Sequence, residues 1–214
     1  MNHLSSPKTL ARLGLGILAV SAVLTAGTVS GVFAQAAQQP VQVATTLQLT
    51  PAFADNDDVT LTPSQTEGPY FKPNSPERTS LIDETVTGTR LVITGRVLAA
   101  DGTPVAGALL DFWQASDSGN YDNQGYELRG HQYTDADGYY TLETVVPGLY
   151  PGRTRHIHVK VQAPNAPVLT TQLYFPDEPQ NARDGIFNAA LLLPIQQTDT
   201  GSETASFDFV VQTA

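Results

Sequence analysis

The amino-acid sequence predicts an all-β protein, either a β-sandwich or a β-barrel, with long loops between short strands. Three observations lead to this prediction. Runs of alternating apolar and polar residues recur along the chain, turn residues separate these runs, and no long amphipathic helix is visible. The 17 glycines and 15 prolines fit a chain with many turns. Short strands at this spacing predict a sandwich or a barrel rather than an α/β fold.

The first 34 residues are predicted to be an export signal. Lys8 and Arg12 precede an uncharged, mostly apolar run that begins at Leu13 and ends in small residues near Ala34. The alternative is an uncleaved membrane anchor, because the run is about as long as a thin spanning helix. Its many Gly, Ser, Thr and Ala residues favour cleavage, which would leave no stable membrane span. We therefore expect an exported protein, in the periplasm, on the cell surface or in the medium.

One folded domain is predicted over residues 61–214. A chain of 214 residues suggests a single domain, and its hydrophobic share of 41% is sufficient for a sizeable core. The preceding residues, 35–60, are polar, small and aperiodic, which predicts a flexible linker. The sequence has no cysteine, so the domain depends on packing or on a metal rather than on disulfides.

At least six strands are predicted in this domain. A turn at 100–104 follows the first strand, and Asp135-Ala136-Asp137-Gly138 forms a turn before the third. The second turn also looks like the opening of a calcium loop, but it lacks the later acidic ligands, so a hairpin turn is favoured. The predicted strands are Leu91–Leu98, Ala108–Trp113, Tyr139–Val145, His156–Val161, Thr170–Phe175 and Ser206–Val211.

The charge balance argues against two classes of partner. The formal net charge is −10. An acidic surface repels phosphate groups, which argues against nucleic acid and against anionic lipid as partners. The charge does not identify a partner, and the sequence does not indicate an oligomeric state.

A histidine pair is the first candidate for a metal site. His156 and His158 stand two positions apart in a predicted strand, so their side chains point to the same face. Two neighbouring imidazoles are a suitable pair of metal ligands. The alternative is a pair of histidines on a solvent-exposed face. The pair alone does not decide between them.

Two tyrosines in turn-rich segments are the next candidates. Tyr150 lies between Pro/Gly turns just before the histidines, and Tyr121 follows Gly119-Asn120 after the second predicted strand. Phenolate is a hard anion, and a bound cation can deprotonate a phenol whose ordinary pKa is about 10. Two phenolates with two imidazoles would favour iron(III) over iron(II), because the anions offset the higher charge. The alternative for each tyrosine is a loop aromatic with a satisfied hydroxyl.

Several stretches taken together resemble the intradiol ring-cleavage dioxygenases, the family of protocatechuate 3,4-dioxygenase and the catechol 1,2-dioxygenases. They follow the family's order across about residues 62–176 and are specific as a set, although each is weak alone. The matching stretches are 62–70 (TPSQTEGPY), 111–115 (DFWQA) with 119–121 (GNY), 128–130 (LRG), 134–138 (TDADG), 147–151 (PGLYP), 156–158 (HIH) and 171–175 (TQLYF).

The resemblance implies a prealbumin-like β-sandwich core that holds non-haem iron(III). By position, the metal ligands are Tyr121, Tyr150, His156 and His158, with Tyr150 as the tyrosinate that the substrate displaces. The implied substrates are a catechol-type aromatic and dioxygen. The implied reaction inserts both oxygen atoms between the two hydroxylated carbons and gives a cis,cis-muconate-type product, a step in the catabolism of aromatic compounds.

The resemblance also implies roles around the metal. Arg153 matches the arginine that stabilises charge on the bound substrate, and Gln172 matches the glutamine beside it. Trp113, the only tryptophan, matches an aromatic near the metal, with core packing as the alternative. Only five residues separate Tyr150 from His156, where the cytoplasmic members carry a longer insert. The short form is similar to a secreted branch of the family, so the sequence leaves the particular catechol open.

A non-catalytic binding or spacer module is the alternative from another functional class. The segments at 94–108 and 134–140 are also typical of exported prealbumin-like sandwiches that bind no metal. That interpretation explains the turns, but it does not explain the joint occurrence of the two tyrosines, the histidine pair and Gln172. A family member that keeps the ligands but lacks turnover lies between the two.

Overall fold

The computed structural model describes residues 60–214, in which nine strands form two packed sheets. The predicted signal over 1–34 and all but the last residue of the predicted linker over 35–60 lie outside the described residues. Within 60–214, no helix has the length and apolarity needed to cross a membrane. The strands are β1 (Arg90–Ala99), β2 (Leu109–Trp113), β3 (Arg129–Tyr133), β4 (Tyr139–Val145), β5 (His156–Gln162), β6 (Leu169–Tyr174), β7 (Gln196–Gln197), β8 (Glu203–Ser206) and β9 (Phe209–Val211).

The two sheets confirm the predicted β-sandwich. One is an antiparallel sheet of four strands in the order β3-β2-β5-β6. The other has the order β4-β1-β8-β7, and β9 continues it by pairing with the distal half of β1. Two short 3-10 helices, Pro179–Ala182 and Ala189–Leu191, lie in the connection that follows β6.

The core lies between the sheets and is built by residues that alternate along each strand. In β5, Ile157, Val159 and Val161 are fully buried in this core. Burying each such aliphatic side chain contributes about 1.5–3 kcal/mol to folding. Successive side chains of a strand point to opposite faces, so His156 and His158 are directed to the outer face of the four-stranded sheet.

The N-terminal part of the domain covers that outer face. Gln65 N–H donates to Thr170 O at the β6 edge, and Arg78 N–H donates to His131 O at the β3 edge. The segment between them therefore crosses all four strands. We call residues 64–78 the cover segment. Because of it, both histidines are buried although they lie outside the sandwich core.

The structure differs from the predicted strands in three places, one of which is the two-residue strand β7, which was not predicted. β3 was not predicted, because Arg129–Tyr133 has no apolar alternation. The single strand predicted over Ser206–Val211 is two strands, β8 and β9, separated at Phe207 and Asp208. There the Asp208 carboxylate accepts a hydrogen bond from Arg96 N, and the Phe207 carbonyl packs so closely on Gly95 that no side chain fits.

The turn at Asp135–Gly138 is confirmed as a turn, but it joins strands of different sheets. Asp135 Oδ1 accepts hydrogen bonds from the backbone N–H groups of Asp137 and Tyr139. The strand before the turn, β3, belongs to one sheet and the strand after it, β4, belongs to the other. The turn is therefore a corner of the sandwich rather than a hairpin within one sheet.

Candidate metal centre

The two histidines of β5 face each other on the outer side of the four-stranded sheet. Their Nε2 atoms are 3.1 Å apart, and both side chains are buried. His156 Nδ1 lies 2.6 Å from Thr154 O, so Nδ1 carries the proton and donates it. The lone pair of His156 Nε2 is therefore directed towards His158.

Both imidazoles are neutral near pH 7. Burial lowers the pKa of His156 to about 4, and burial lowers the pKa of His158 well below its ordinary value. His158 Nδ1 is buried and has no hydrogen-bond partner among the described residues. Two neutral imidazoles whose Nε2 atoms converge are arranged to share a cation between them.

Tyr121 brings a phenol to the same point. Its hydroxyl lies 3.3 Å from His156 Nε2. Burial raises the pKa of Tyr121, so the phenol ionises there only against a nearby cation. A hard oxygen donor therefore joins the two nitrogen donors. Tyr121 is 35 positions away from His156 in the sequence, so the cluster is formed by distant segments of the chain.

Two residues hold the loop that carries Tyr121 in place: Asp122, which directly follows Tyr121, and the buried Arg129. The Asp122 carboxylate accepts hydrogen bonds from the N–H groups of Gln124, Gly125 and Glu127. Arg129, which is almost fully buried, donates to Asp122 O and, through Nη1, to Tyr70 O at 2.5 Å. Arg129 thus connects the Tyr121 loop to the cover segment.

Tyr150 lies at the rim of the cluster rather than between the histidines. Its ring is 5.8 Å from that of Tyr121, edge to face, and its hydroxyl is 2.6 Å from the hydroxyl of Tyr70. The two tyrosine loops approach closely because they meet at glycines: a Cβ on Gly119 or on Gly148 would overlap the backbone of the opposite loop.

Tyr70 is a member of the cluster whose role the sequence did not indicate. Its ring stacks on Tyr121 with centroids 4.4 Å apart. The hydrogen bond with Tyr150, followed by burial, raises the pKa of Tyr70. Tyr70 therefore stays protonated at neutral pH and is able to donate to the Tyr150 oxygen. The TEGPY stretch contains Tyr70, but nothing local to the sequence shows that it meets a residue 80 positions away.

Arg153 and Gln172 lie together beside the histidines. Gln172 is the cross-strand neighbour of His158, and its Oε1 accepts a hydrogen bond of 2.7 Å from Arg153 Nη2. Arg153 Nε donates to Asp184 Oδ2 at 2.8 Å. Asp184 was not identified from the sequence, because it follows a short 3-10 helix in a segment without any periodic pattern.

Trp113 packs directly on the histidine pair. Its ring stacks on that of His158 at 4.8 Å with an interplanar angle of 5°, and Phe71 of the cover segment meets the Trp113 ring edge to face at 4.9 Å. The contact with His158 places Trp113 on the outer face beside the cluster and not in the sandwich core. Its stacking fixes the plane of the His158 ring.

The donor set fits a hard, highly charged cation. Residues 60–214 contain no cluster of three His, Cys, Asp or Glu residues, so a metal held here depends on tyrosine oxygen as well as on imidazole. Tyr121, His156 and His158 converge on one point, and Tyr150 adjoins it. Phenolate donors suit iron(III) better than soft metals, because a hard anion offsets its charge.

Comparisons with known proteins point to one family. A family model described as "Dioxygenase" matches residues 66–213. Catechol 1,2-dioxygenase 2 of Acinetobacter lwoffii is 32% identical over 178 residues, which cover 68% of this chain and 65% of that protein. Hydroxyquinol 1,2-dioxygenase of Rhizobium sp. (strain MTP-10005) is 32% identical over 148 residues, which cover 57% of this chain and 50% of that protein. The chain therefore spans between one half and two thirds of the length of these two relatives.

Solved structures agree with the sequence relatives. The dioxygenase domain of a dioxygenase carbohydrate-binding protein fusion from the cellulolytic bacterium Streptomyces sp. SirexAA-E is 55% identical, with a TM-score of 0.70 over 72% of this chain and 100% of that chain. The 3-chlorocatechol 1,2-dioxygenase of Rhodococcus opacus 1CP is 28% identical, with a TM-score of 0.68 over 75% of this chain and 74% of that chain.

Proposed function

This chain belongs to the intradiol ring-cleavage dioxygenases, and from that premise we propose that it is a non-haem iron(III) enzyme that opens catechol-type rings with dioxygen. The ring bond between the two hydroxylated carbons breaks, both oxygen atoms enter the product, and a cis,cis-muconate-type diacid results. One observation carries the proposal. His156 Nε2 lies 3.1 Å from His158 Nε2 and 3.3 Å from the hydroxyl of Tyr121, which comes from a different loop.

Four side chains would hold the iron, and they are not equivalent. His156, His158 and Tyr121 form the inner cluster, while the Tyr150 hydroxyl is engaged with Tyr70 at 2.6 Å. We assign Tyr150 as the ligand that the catechol displaces, because the Tyr70 hydroxyl is in place to form a hydrogen bond with the displaced Tyr150 oxygen. Iron(III), when bound, supplies the Lewis acid and the redox centre for the reaction between catecholate and dioxygen.

Tyr150 and Arg153 have further roles in this proposal, as a proton acceptor and as the group that stabilises negative charge on the substrate. A chelating catechol loses two protons; the displaced Tyr150 oxygen is suited to accept one of them, and hydroxide from the solvent would accept the other. The guanidinium of Arg153 is held by Gln172 and by Asp184 beside the histidines. In this position it stabilises the negative charge that shifts onto the ring carbons of the substrate.

Export remains a further part of this proposal. It is supported by the apolar N-terminal run after Lys8 and Arg12, which fits a signal peptide. The absence of cysteine means that a mature exported chain would be stabilised by its two-sheet core and by the metal rather than by disulfides.

The visible spectrum and the iron content of the purified protein test the function. We expect about one iron per chain and a broad tyrosinate-to-iron(III) charge-transfer band that shifts when catechol is added without oxygen. Admission of air should then consume the catechol and give a muconate absorbance. A protein that stays colourless after iron loading would contradict the assignment of Tyr121 and Tyr150 and leave a metal-free binding module as the better interpretation.

A change of Tyr70 to phenylalanine tests the assignment of Tyr150 as the displaced ligand. The variant loses the hydroxyl that holds Tyr150 but keeps the ring that stacks on Tyr121. A net hydrogen bond is worth about 1–1.5 kcal/mol, so we expect kcat to fall about tenfold. The iron content should stay at the parent value, because Tyr70 is not a ligand.

The matched control for that variant is Tyr126→Phe. Its hydroxyl donates to Pro73 O of the cover segment on an exposed part of the surface, and this hydrogen bond involves no residue of the cluster. We expect its kcat to equal that of the parent protein. Equal kcat values for Tyr70→Phe and the parent would show that the contact between Tyr70 and Tyr150 has no part in turnover.

A further inference from the structure

The segment after β6 holds the three residues that precede His156. Asp184 accepts from Arg153 Nε at 2.8 Å, and Asn181 Oδ1 accepts from the Thr154 hydroxyl at 2.5 Å. Glu178 accepts from Arg155 Nε at 3.3 Å. We call residues 178–184 the clamp segment. It includes the 3-10 helix Pro179–Ala182 and contributes none of the converging donor atoms.

Within the clamp segment, Asp184 makes contacts that Glu178 does not make. Its Oδ2 atom accepts from Arg153 Nε and also from Thr154 N at 2.9 Å, while Oδ1 accepts from Ile186 N at 3.1 Å. The Asp184 side chain is only 3% exposed. Burial opposes its charge, but the hydrogen bonds from Thr154, Ile186 and Arg153 lower the pKa of Asp184 below its ordinary value, so it is an anion at neutral pH.

The first consequence concerns Arg153. Its guanidinium has two fixed points, Asp184 at Nε and Gln172 at Nη2. Two directional contacts fix the plane of a guanidinium, which one contact would leave free to rotate. Neither of these two contacts uses Nη1, which is therefore the guanidinium nitrogen that we assign as the donor for the substrate.

The second consequence concerns His156. Thr154 is fully buried, its N–H is bound to Asp184, and its carbonyl accepts the proton of His156 Nδ1. That hydrogen bond selects the tautomer of His156 with the proton on Nδ1, and it leaves the unprotonated Nε2 directed towards the cluster. A single carboxylate oxygen of Asp184 therefore connects the arginine on the substrate side to the histidine on the metal side.

We propose that Asp184 is a positioning residue that sets both the orientation of Arg153 towards the substrate and the orientation of His156 towards the metal. Only five residues lie between Tyr150 and His156, so this connection is too short to pack its own side chains around Arg153. A segment 30 residues further along the chain supplies the support instead. The inference rests on the proposed iron-dependent ring cleavage.

Three variants of the full-length protein test the proposal. Asp184→Asn removes the charge at nearly constant volume, Asp184→Glu keeps the charge but displaces it, and Glu178→Gln removes a charge from the same segment where it holds only Arg155. The measurements are kcat and KM for catechol, the charge-transfer spectrum, the rate of iron release to a chelator, and the thermal transition.

We expect Asp184→Asn to lower kcat by about 10–100-fold and to speed iron release about tenfold or more, as is typical when a partner of a metal ligand is lost. Its charge-transfer band should shift, because the His156 ring is less constrained. Asp184→Glu should recover part of the lost kcat. Glu178→Gln should keep kcat and iron release within about twofold of the parent.

Two results would overturn the proposal. The first is an Asp184→Asn protein that equals the parent in kcat and in iron release. The second is an equal loss in Asp184→Asn and Glu178→Gln, which would mean that the clamp segment acts only as general support. If the Asp184→Asn protein does not fold, Asp184→Glu takes its place in the test, and a kcat equal to that of the parent in this variant overturns the proposal. A parent protein without iron or ring cleavage would instead overturn the proposed function.

Discussion

Replacement of His158 with alanine is expected to abolish both iron retention and ring cleavage. His158 supplies one of the two converging Nε2 atoms, 3.1 Å from the other. Its loss leaves one imidazole and the phenols, a set too small to hold the iron against water. Loss of an outer partner of a ligand typically costs 10–100-fold, so loss of the ligand itself should lower kcat/KM by more than about 100-fold.

The measurements for His158→Ala are iron per chain, absorbance of the charge-transfer band and catechol consumption. Far-ultraviolet circular dichroism and the thermal transition are needed beside them, because alanine leaves a cavity under the stacked Trp113 ring. The variant should keep its β spectrum while losing its colour. A His158→Ala protein with parental iron content and colour would remove His158 from the ligand set.

His131→Ala is the matched control for that experiment. His131 lies on the outer face of the same sheet, in β3, but its ring contacts Ser75 and Tyr133 rather than the cluster. We expect the His131→Ala protein to retain one iron and the parental charge-transfer band. A loss of iron in both variants would point to a general effect of removing a histidine from this sheet.

Replacement of Arg153 with lysine is expected to lower kcat by about 10²–10³-fold while iron binding is unchanged. The positive charge is kept, but a single ammonium group cannot contact Asp184 and Gln172 together in the geometry of the planar guanidinium. Loss of one oriented donor at the position of developing charge costs about this factor in other enzymes. Steady-state kinetics with catechol and the anaerobic charge-transfer titration measure the two quantities separately.

Arg155→Lys is the neighbouring control for Arg153→Lys. Arg155 is directed away from the cluster and contacts Glu178 and Pro147 O. Its replacement should leave kcat within a few-fold of the parent value. An Arg153→Lys protein with parental kcat would exclude charge stabilisation by Arg153, and a loss of iron in that variant would assign Arg153 to the structure of the metal site instead.

The sequence predicted most accurately those parts of the fold and of the candidate site that follow from the two-residue repeat of a strand. His156 and His158 share a face because any strand places residues i and i+2 on one side, and the structure confirms this placement. The strand Tyr139–Val145 has the predicted bounds for the same reason. β3 was not predicted, because its inward positions, opposite the core residues Phe112 and Leu110 of β2, are Gly130 and Gln132, so the segment has no apolar alternation to detect.

The sequence by itself determined the sandwich, the histidine pair and the family, because alternation, turns and ordered motifs are properties of neighbouring residues. Only the tertiary structure decided which distant residues meet. Tyr70 reaches Tyr150 across 80 positions and Asp184 reaches Thr154 across 30. These contacts depend on how the cover segment and the clamp segment close over the sheet. Loop closure of this kind is set by the packing of the whole domain, and it leaves no periodic signal in the sequence.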